Sequence, residues 1–245
     1  MNDTLRYMQE DPVNRRWHHG ELTFSLVYAF SENYILPLSH DEVVHGKGSL
    51  VSKMPGDKWQ KMASLRALYA YQWSHPGKQL LFMGQEFGQE QEWTEQHSLD
   101  WWLLDDDLHS GLLSLVSALN RIYRDDPALW DDDYTGFEWI DASDGDHNVI
   151  SHIRKGMGSD HKQHLLVCVT NFAGTPHEGY RVGLPFSGQW EEILNTDSEE
   201  FGGSGVINMG PVIAEDVPWN GRPASAELRV PPLGALWLRP VTSEN

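Results

Sequence analysis

Leu36-Pro37-Leu38-Ser39-His40-Asp41-Glu42-Val43-Val44-His45-Gly46-Lys47-Gly48-Ser49 is the stretch on which the fold turns. A short apolar run, Tyr34 to Leu38, stops abruptly at a cluster of ionisable groups, and glycines follow. That order predicts a buried strand delivering a polar loop to the rim of a parallel sheet. In barrels of parallel β/α units the carboxyl ends of the strands carry the chemistry. An ordinary charged surface loop is the plainer alternative. His40 and His45 imitate a zinc-protease motif, but that motif needs two histidines four apart on one helical face. These are five apart and follow Pro37, so no metal is expected.

Downstream, Asp57 is a good helix N-cap, and Gln60 is spaced to reach back to its amide. Trp59, Met62, Ala63, Tyr69, Ala70 and Trp73 then fall on one stripe at helical spacing. Arg66 interrupts that stripe, and the sequence offers no reason for it. His75-Pro76-Gly77 ends the helix. Gln79 to Met83 is a second apolar run emptying into a polar loop, Gly84-Gln85-Glu86-Phe87-Gly88. Ser110 is expected to open another helix, with Leu112, Leu115, Val116, Leu119, Ile122 and Tyr123 on its apolar face. Strand, polar loop and helix thus occur twice, as a parallel β/α unit does.

Upstream, Leu5 and Met8 suggest a helix stopped by Asp11-Pro12, and a second helical pattern runs from Gly20 through Leu22, Leu26, Val27 and Phe30. Arg15-Arg16-Trp17-His18-His19 between them reads as a packed, solvated connection. Past Asp125 the chain turns acidic through Asp131-Asp132-Asp133, and the period changes. Phe137–Ile140, Val149–Ile153, Leu165–Phe172, Tyr180–Leu184, Trp190–Leu194, Glu227–Val230 and Ala235–Leu238 are short β-rich runs separated by Gly, Asn, Asp and Pro. The expected architecture is α/β plus all-β. Residues 1–130 hold about two β/α units, and residues 131–245 form an antiparallel β-sandwich able to close its own core.

Composition narrows the function. Eighteen basic residues against thirty-six acidic ones give a net charge of −18. Such a surface repels phosphate backbones and anionic lipid, so neither nucleic acid nor a membrane is expected as a partner. A neutral sugar polymer is indifferent to that charge. Cys168 is the sole cysteine, the first residues form no apolar signal, and no run could span a bilayer. A cytoplasmic protein is expected.

The central loop resembles the fourth conserved region of the α-amylase superfamily, in the form used by glycogen (1,4-α-glucan) branching enzymes. The likeness continues through Met54-Pro55-Gly56-Asp57-Lys58-Trp59-Gln60-Lys61, Leu80 to Gly88, Glu92-Trp93 and Ser98-Leu99-Asp100-Trp101. Gly136-Phe137-Glu138-Trp139 and Ile193-Leu194-Asn195-Thr196-Asp197 extend it into the β-rich region.

The resemblance implies the carboxyl-terminal part of a (β/α)8 barrel followed by the β-sandwich, and a retaining transglycosylation on α-glucan such as glycogen or amylose. Retaining enzymes place two carboxylates about 5 Å apart across the scissile bond. The superfamily adds a third, which maps to Asp41 and stabilises the transition state through hydroxyls of the reacting glucose. By the same match His40 donates a hydrogen bond to that sugar, Glu42 and Lys47 position it, and Trp93 could stack on glucan. Trp101 and Trp102 also follow the last strand, whereas Trp139, Trp190 and Trp237 read as packing. No cofactor and no metal are implied.

The family's nucleophile sits in a Gly-Phe-Arg-x-Asp motif, and its acid follows on the next strand; neither motif is present. A whole barrel needs about 250 residues. The chain is therefore expected to match the carboxyl-terminal third of a branching enzyme, to be inactive alone, and to have the missing amino-terminal part as a partner. A related hydrolase is disfavoured by the His-Asp-Glu-Val-Val-His run. A non-catalytic glucan-binding or interaction fragment is the remaining alternative.

Overall fold

The computed structural model describes residues 1–27, 35–130, 134–159 and 161–241. The Tyr34 start of the first strand, the Phe30 end of the second helical pattern and the Asp131-Asp132-Asp133 boundary lie outside them. Helix α1 (Asn2–Gln9) and helix α2 (Gly20–Thr23, continued by a 3-10 turn Phe24–Val27) precede strand β1 (Ile35–Leu38). Helices α3 (Leu50–Lys53) and α4 (Lys58–Ser74), strand β2 (Lys78–Leu81), and helices α5 (Asp107–Asp125) and α6 (Pro127–Trp130) follow.

The capping expected at Asp57 is present. Its carboxylate accepts from Gln60 N at 2.9 Å, and Gln60 Oε1 accepts from Asp57 N at 2.9 Å. Beyond that first turn α4 departs from a one-sided stripe, because every residue from Met62 to Ser74 is buried. A helix enclosed all round must partner its polar groups with whatever surrounds it. Accordingly Tyr69 Oη donates to Gln85 O (2.8 Å), Tyr71 Oη to Leu22 O (2.7 Å), Gln72 Nε2 to Leu36 O (2.8 Å) and Trp73 Nε1 to Asn120 Oδ1 (3.1 Å). Those four bonds tie α4 to the loop after β2, to α2, to β1 and to α5.

Strands β1 and β2 pair in parallel, Leu36 against Gln79 and Leu38 against Leu81. Phe82 N continues the ladder to Leu38 O at 3.0 Å. The two-sided burial expected of β1 is not observed. Leu36 and Leu38 are buried, whereas Ile35 is 57% exposed and its neighbour Leu80 39%. Parallel strands are ordinarily covered on both faces, and α4 supplies one of them. Helix α5 starts earlier than Ser110, because Asp106 caps it by accepting from Leu108 N at 2.9 Å.

Among the described residues eight strands follow: β3 (Phe137–Asp141), β4 (Val149–Met157), β5 (Gln163–Asn171), β6 (His177–Leu184), β7 (Gly188–Asn195), β8 (Val212–Ala214), β9 (Ala224–Val230) and β10 (Gly234–Pro240). All seven expected runs are strands, and β8 is an addition. Their order is β3-β4-β5-β10-β7-β8 in one antiparallel sheet, with β6-β9 as a separate pair. Side chains alternate across a strand, and here both faces of the larger sheet are buried. Leu165, Val167, Val169, Leu236 and Leu238 face a core closed by Val182, Leu184, Leu228 and Val230 of β6 and β9. Leu166, Cys168, Ala235 and Trp237 join Leu65, Leu68 and Tyr69 of α4 in a second core. The β-region therefore closes a core of its own on one face only.

Two buried arginines seam the halves. Arg154 on β4 donates to Ser74 O and Leu129 O, each at 3.0 Å, at the carbonyl ends of α4 and α6. Arg15, in the stretch read as a packed, solvated connection, is fully buried and bonds Phe172 O (2.8 Å) and Met8 O (3.0 Å). Its neighbour Trp17 is 75% exposed.

Candidate functional site

The two parallel strands end side by side, and each releases a loop at that end. After β1, Ser39 leads into a single 3-10 turn, His40–Glu42, and the chain then passes His45, Gly46 and Gly48 at φ of 58°, 84° and 70°. No α-helix forms, so His40 and His45 do not share a helical face. Gly46 and Gly48 take up left-handed backbone at low cost.

The loop after β2 holds the first loop at several points. Glu92 Oε1 accepts from Gly46 N at 2.8 Å and its Oε2 from Gly48 N at 2.9 Å. These two backbone bonds keep the Glu92 carboxyl below its ordinary range. Trp93 N donates to Val43 O at 3.0 Å. Gln85 is fully buried; its Oε1 accepts from Leu50 N at 3.1 Å and its carbonyl from Tyr69 Oη. Ser49 caps α3 and sends its hydroxyl to Glu90 O at 3.0 Å. Rigid elements beneath thus fix a loop whose tip faces water.

At that tip, His40 Nε2 lies 3.2 Å from Asp41 Oδ1, with the two side chains 59% and 71% exposed. Lys47 Nζ donates to the Asp41 carbonyl at 2.6 Å, closing the loop on itself. Burial lowers the pKa of the Lys53 ammonium, and the half-buried Glu42 opposes that shift only in part. The His40 ring lies 6.0 Å from that of Phe82, which meets Trp93 edge-on at 5.3 Å. His40, Asp41 and Lys47 are therefore together, and Trp93 joins them through Phe82 and the Val43 carbonyl. Trp101 and Trp102, farther along, are 55% and 65% exposed, whereas Trp190 and Trp237 are fully buried. A cleft of about 680 Å³ between α5 and residues 192–207 is lined by none of the loop residues.

The arrangement presents an exposed carboxylate beside an imidazole, with an aromatic edge nearby. Acceptor, donor and ring are what a polyhydroxylated substrate needs for orientation. Sequence reasoning missed Glu92 and Gln85 as holders of the loop. The only local signal was the pair of glycines, which leaves their amides seeking an acceptor. Among the described residues, no group of His, Cys, Asp and Glu is arranged to hold a metal ion, and no helix is long and apolar enough to cross a membrane.

Residues 139–241 match the family described as the alpha amylase, C-terminal all-beta domain. The chain is 58% identical over 241 residues to the 1,4-alpha-glucan branching enzyme GlgB of Leifsonia xyli subsp. xyli, covering 98% of this chain and 32% of that protein. With GlgB of Mycolicibacterium paratuberculosis it shares 57% over 243 residues, covering 98% of this chain and 33% of that protein. The chain thus spans about a third of the length of the curated relatives it matches. Its fold is similar to that of a pullulanase from Anoxybacillus sp. LM18-11 solved with maltotetraose, at a TM-score of 0.64 and 14% identity. That match covers 96% of this chain and 32% of the pullulanase, and it is a likeness of fold alone.

Proposed function

We propose that this chain, which belongs by sequence to the 1,4-alpha-glucan branching enzyme family, supplies the transition-state-stabilising part of a branching transferase acting on glycogen-like α-glucan. The observation that carries the reading is Asp41, exposed beside His40 on a loop held by Glu92 at the carboxyl ends of two parallel strands. Asp41 binds hydroxyls of the reacting glucose and favours the positively charged, flattened ring of the transition state. His40 donates to the same sugar, Lys47 and Glu42 hold the loop's shape and charge, and Trp93 offers its ring to a neighbouring glucose.

In this reading β1 and β2 with α4 and α5, within residues 1–130, are the last units of a (β/α)8 barrel. Residues 131–245 are the β-domain that follows it. The half-exposed Ile35 and Leu80 support the barrel reading, because a complete barrel would cover them. The nucleophile and acid come from the remainder of the enzyme, in the cytoplasm. Purified alone, the chain then leaves the spectrum of iodine-stained amylose unchanged. Joined to the amino-terminal two-thirds of a full-length relative, it restores the shift. A protein-dependent shift from the chain alone would contradict the reading. A second reading, a glucan-binding fragment without catalysis, is favoured by the absence of the Gly-Phe-Arg-x-Asp motif. It requires glycogen pull-down, with no activity even after joining.

A further inference from the structure

A cleft of about 560 Å³ opens on the β-sheet part between β3, β6 and the turn before β9, lined by none of the residues discussed so far as a site. Its volume falls in the range of about 300–1,000 Å³ usual for small-ligand sites. One wall is a set of rings with fixed protons. Tyr180 Oη donates to Asp144 Oδ2 at 2.6 Å, and His147 Nδ1 approaches both oxygens of the same carboxylate at 2.8 and 2.9 Å. A carboxylate only accepts, so His147 carries a proton on Nδ1. A carbonyl likewise only accepts, so His177 Nε2 donates to the His147 carbonyl at 3.1 Å. Burial pushes the Asp144 carboxyl up, but the bonds from Tyr180 and His147 outweigh it and hold Asp144 ionised well into the acid range.

The facing side is equally built. Asn220 Nδ2 donates to Asp141 Oδ2 at 3.0 Å, and Asn220 Oδ1 accepts from Gly183 N at 3.2 Å. Trp219 and Arg222 close a tight turn by exchanging backbone bonds of 3.0 and 2.8 Å. Arg222 anchors that turn to Glu138 (2.6 Å) and the Trp139 carbonyl (2.8 Å). The turn presses so closely on β6 that a Cβ at Gly183 would lie 2.3 Å from the Trp219 carbonyl. Trp219, which lines the cleft, nevertheless remains 48% exposed. A rigid turn thus displays a large apolar ring to water beside polar groups held in place by Asp144 and the His147 carbonyl. An exposed ring is ordinary by itself; what sets this one apart is its fixed place beside the polar groups of the cleft.

The chemistry selects a neutral polyol. On the lining Asp141, Asp144 and Glu178 outnumber Arg181, which is itself paired with Glu215 and Glu227, so anions are disfavoured; each of the three carboxylates already engages an internal donor, which weakens the attraction for a cation. Hydroxyl groups can still use the spare lone pairs, and the C–H face of a sugar can lie on the indole. We propose that this cleft binds a short stretch of α-glucan, with one glucose stacked on Trp219 and its hydroxyls bonded to Asp141, His147 and His177. The choice of glucan among saccharides rests on the reading given under Proposed function; the saccharide class rests on the cleft.

The test uses the chain by itself, with maltoheptaose in calorimetry and glycogen in native affinity gels. Wild type is retarded by glycogen and binds maltoheptaose. Trp219→Ala weakens binding about tenfold or more, a loss easily resolved on the affinity scale, and Trp219→Phe retains most of it. His147→Ala, at a mostly exposed side chain, also weakens binding, which keeps the test informative if Trp219→Ala unfolds. Binding that is absent in wild type, unchanged in both alanine variants, or equal for cellohexaose overturns the proposal. If binding is lost instead by Trp93→Ala, the cleft is excluded while the loop reading stands.

Discussion

Arg66 Nη2 lies 3.9 Å from Asp197 Oδ1, and both side chains are only 1% exposed. The residue that breaks the apolar stripe of α4 thus meets the last residue of Ile193-Leu194-Asn195-Thr196-Asp197, in the loop after β7. Asp197 also accepts from Ser204 N (2.9 Å), Ser204 Oγ (2.7 Å) and Val206 N (3.0 Å), so it organises that loop. Arg66 stacks over the Trp59 ring at 5.8 Å, and burial lowers its pKa to about 10 despite Asp197. Removing one partner of a buried pair strands the other charge, at about 3–5 kcal/mol. Asp197→Ala should cost that much, because it strands Arg66 and two amides. Arg66→Met should cost less, since Asp197 keeps three donors. Urea unfolding of both variants and the double mutant checks the ranking; equal costs would contradict it.

That pair marks where the sequence stopped being legible. The capping box of α4, its stop at His75-Pro76-Gly77 and seven of the eight β-region strands could be read directly, because caps and two-residue alternation are local signals. The all-round burial of α4 could not, because its polar groups are matched by carbonyls as distant as Leu36 and Leu22. Leu165-Leu166-Val167-Cys168-Val169 held an unused hint: five apolar residues without alternation imply a strand buried on both faces. In the loop, His40 and Asp41 stood out by type. Glu92 did not, since nothing in spacing announces a bond between residues 46 apart in sequence.

Close approach governs Gly111 on α5, where a Cβ would meet the Phe201 carbonyl carbon at 2.5 Å. Replacing a helical glycine by alanine ordinarily gains up to about 1 kcal/mol. Here the contact is backbone, which cannot swing aside, and overpacking of that kind costs about 1–3 kcal/mol. Gly111→Ala should therefore lower Tm in thermal unfolding; a raised Tm would show that the two segments can separate freely.

Acid should act through two buried histidines. Burial lowers the pKa of His75 to about 4 and that of His152 to about 3, the charge of Arg154 adding to both. In the unfolded chain each titrates near ~6.5. Below that value the unfolded state binds protons the folded state refuses, so stability falls as pH drops from ~6.5 toward the folded values. His152 stacks on Phe137 at 5.1 Å, so a phenyl ring suits the site. Urea midpoints at pH 7.5, 6 and 5 should decline less steeply for His152→Phe than for wild type; parallel declines would exclude His152 as a source.

Glu92 should control the loop rather than the fold. In Glu92→Gln, with one fewer acceptor oxygen, the Gly46 and Gly48 amides should exchange hydrogen markedly faster while the global unfolding midpoint barely moves. The carboxyl is held below its unfolded value of ~4.3. The clamp is thus fully present above that pH and is lost as pH falls through the lower, folded value. Unchanged exchange at both glycines would remove Glu92 from the account.

Turnover of Asp41→Asn is the most direct test of the whole reading. The chain would be joined to the amino-terminal two-thirds of a full-length branching enzyme, and both α-1,6 bond formation and amylose affinity measured. Many sugar contacts hold a long glucan, so affinity should change little. Charge develops only at the reacting ring, where losing one preorganised electrostatic partner lowers the rate by about 10²–10³-fold. The amide keeps the shape of the side chain, and Asp41 is exposed, so folding should be intact. A fall of that size in turnover with near-constant affinity is the expected result; near-normal turnover would contradict the role assigned to Asp41.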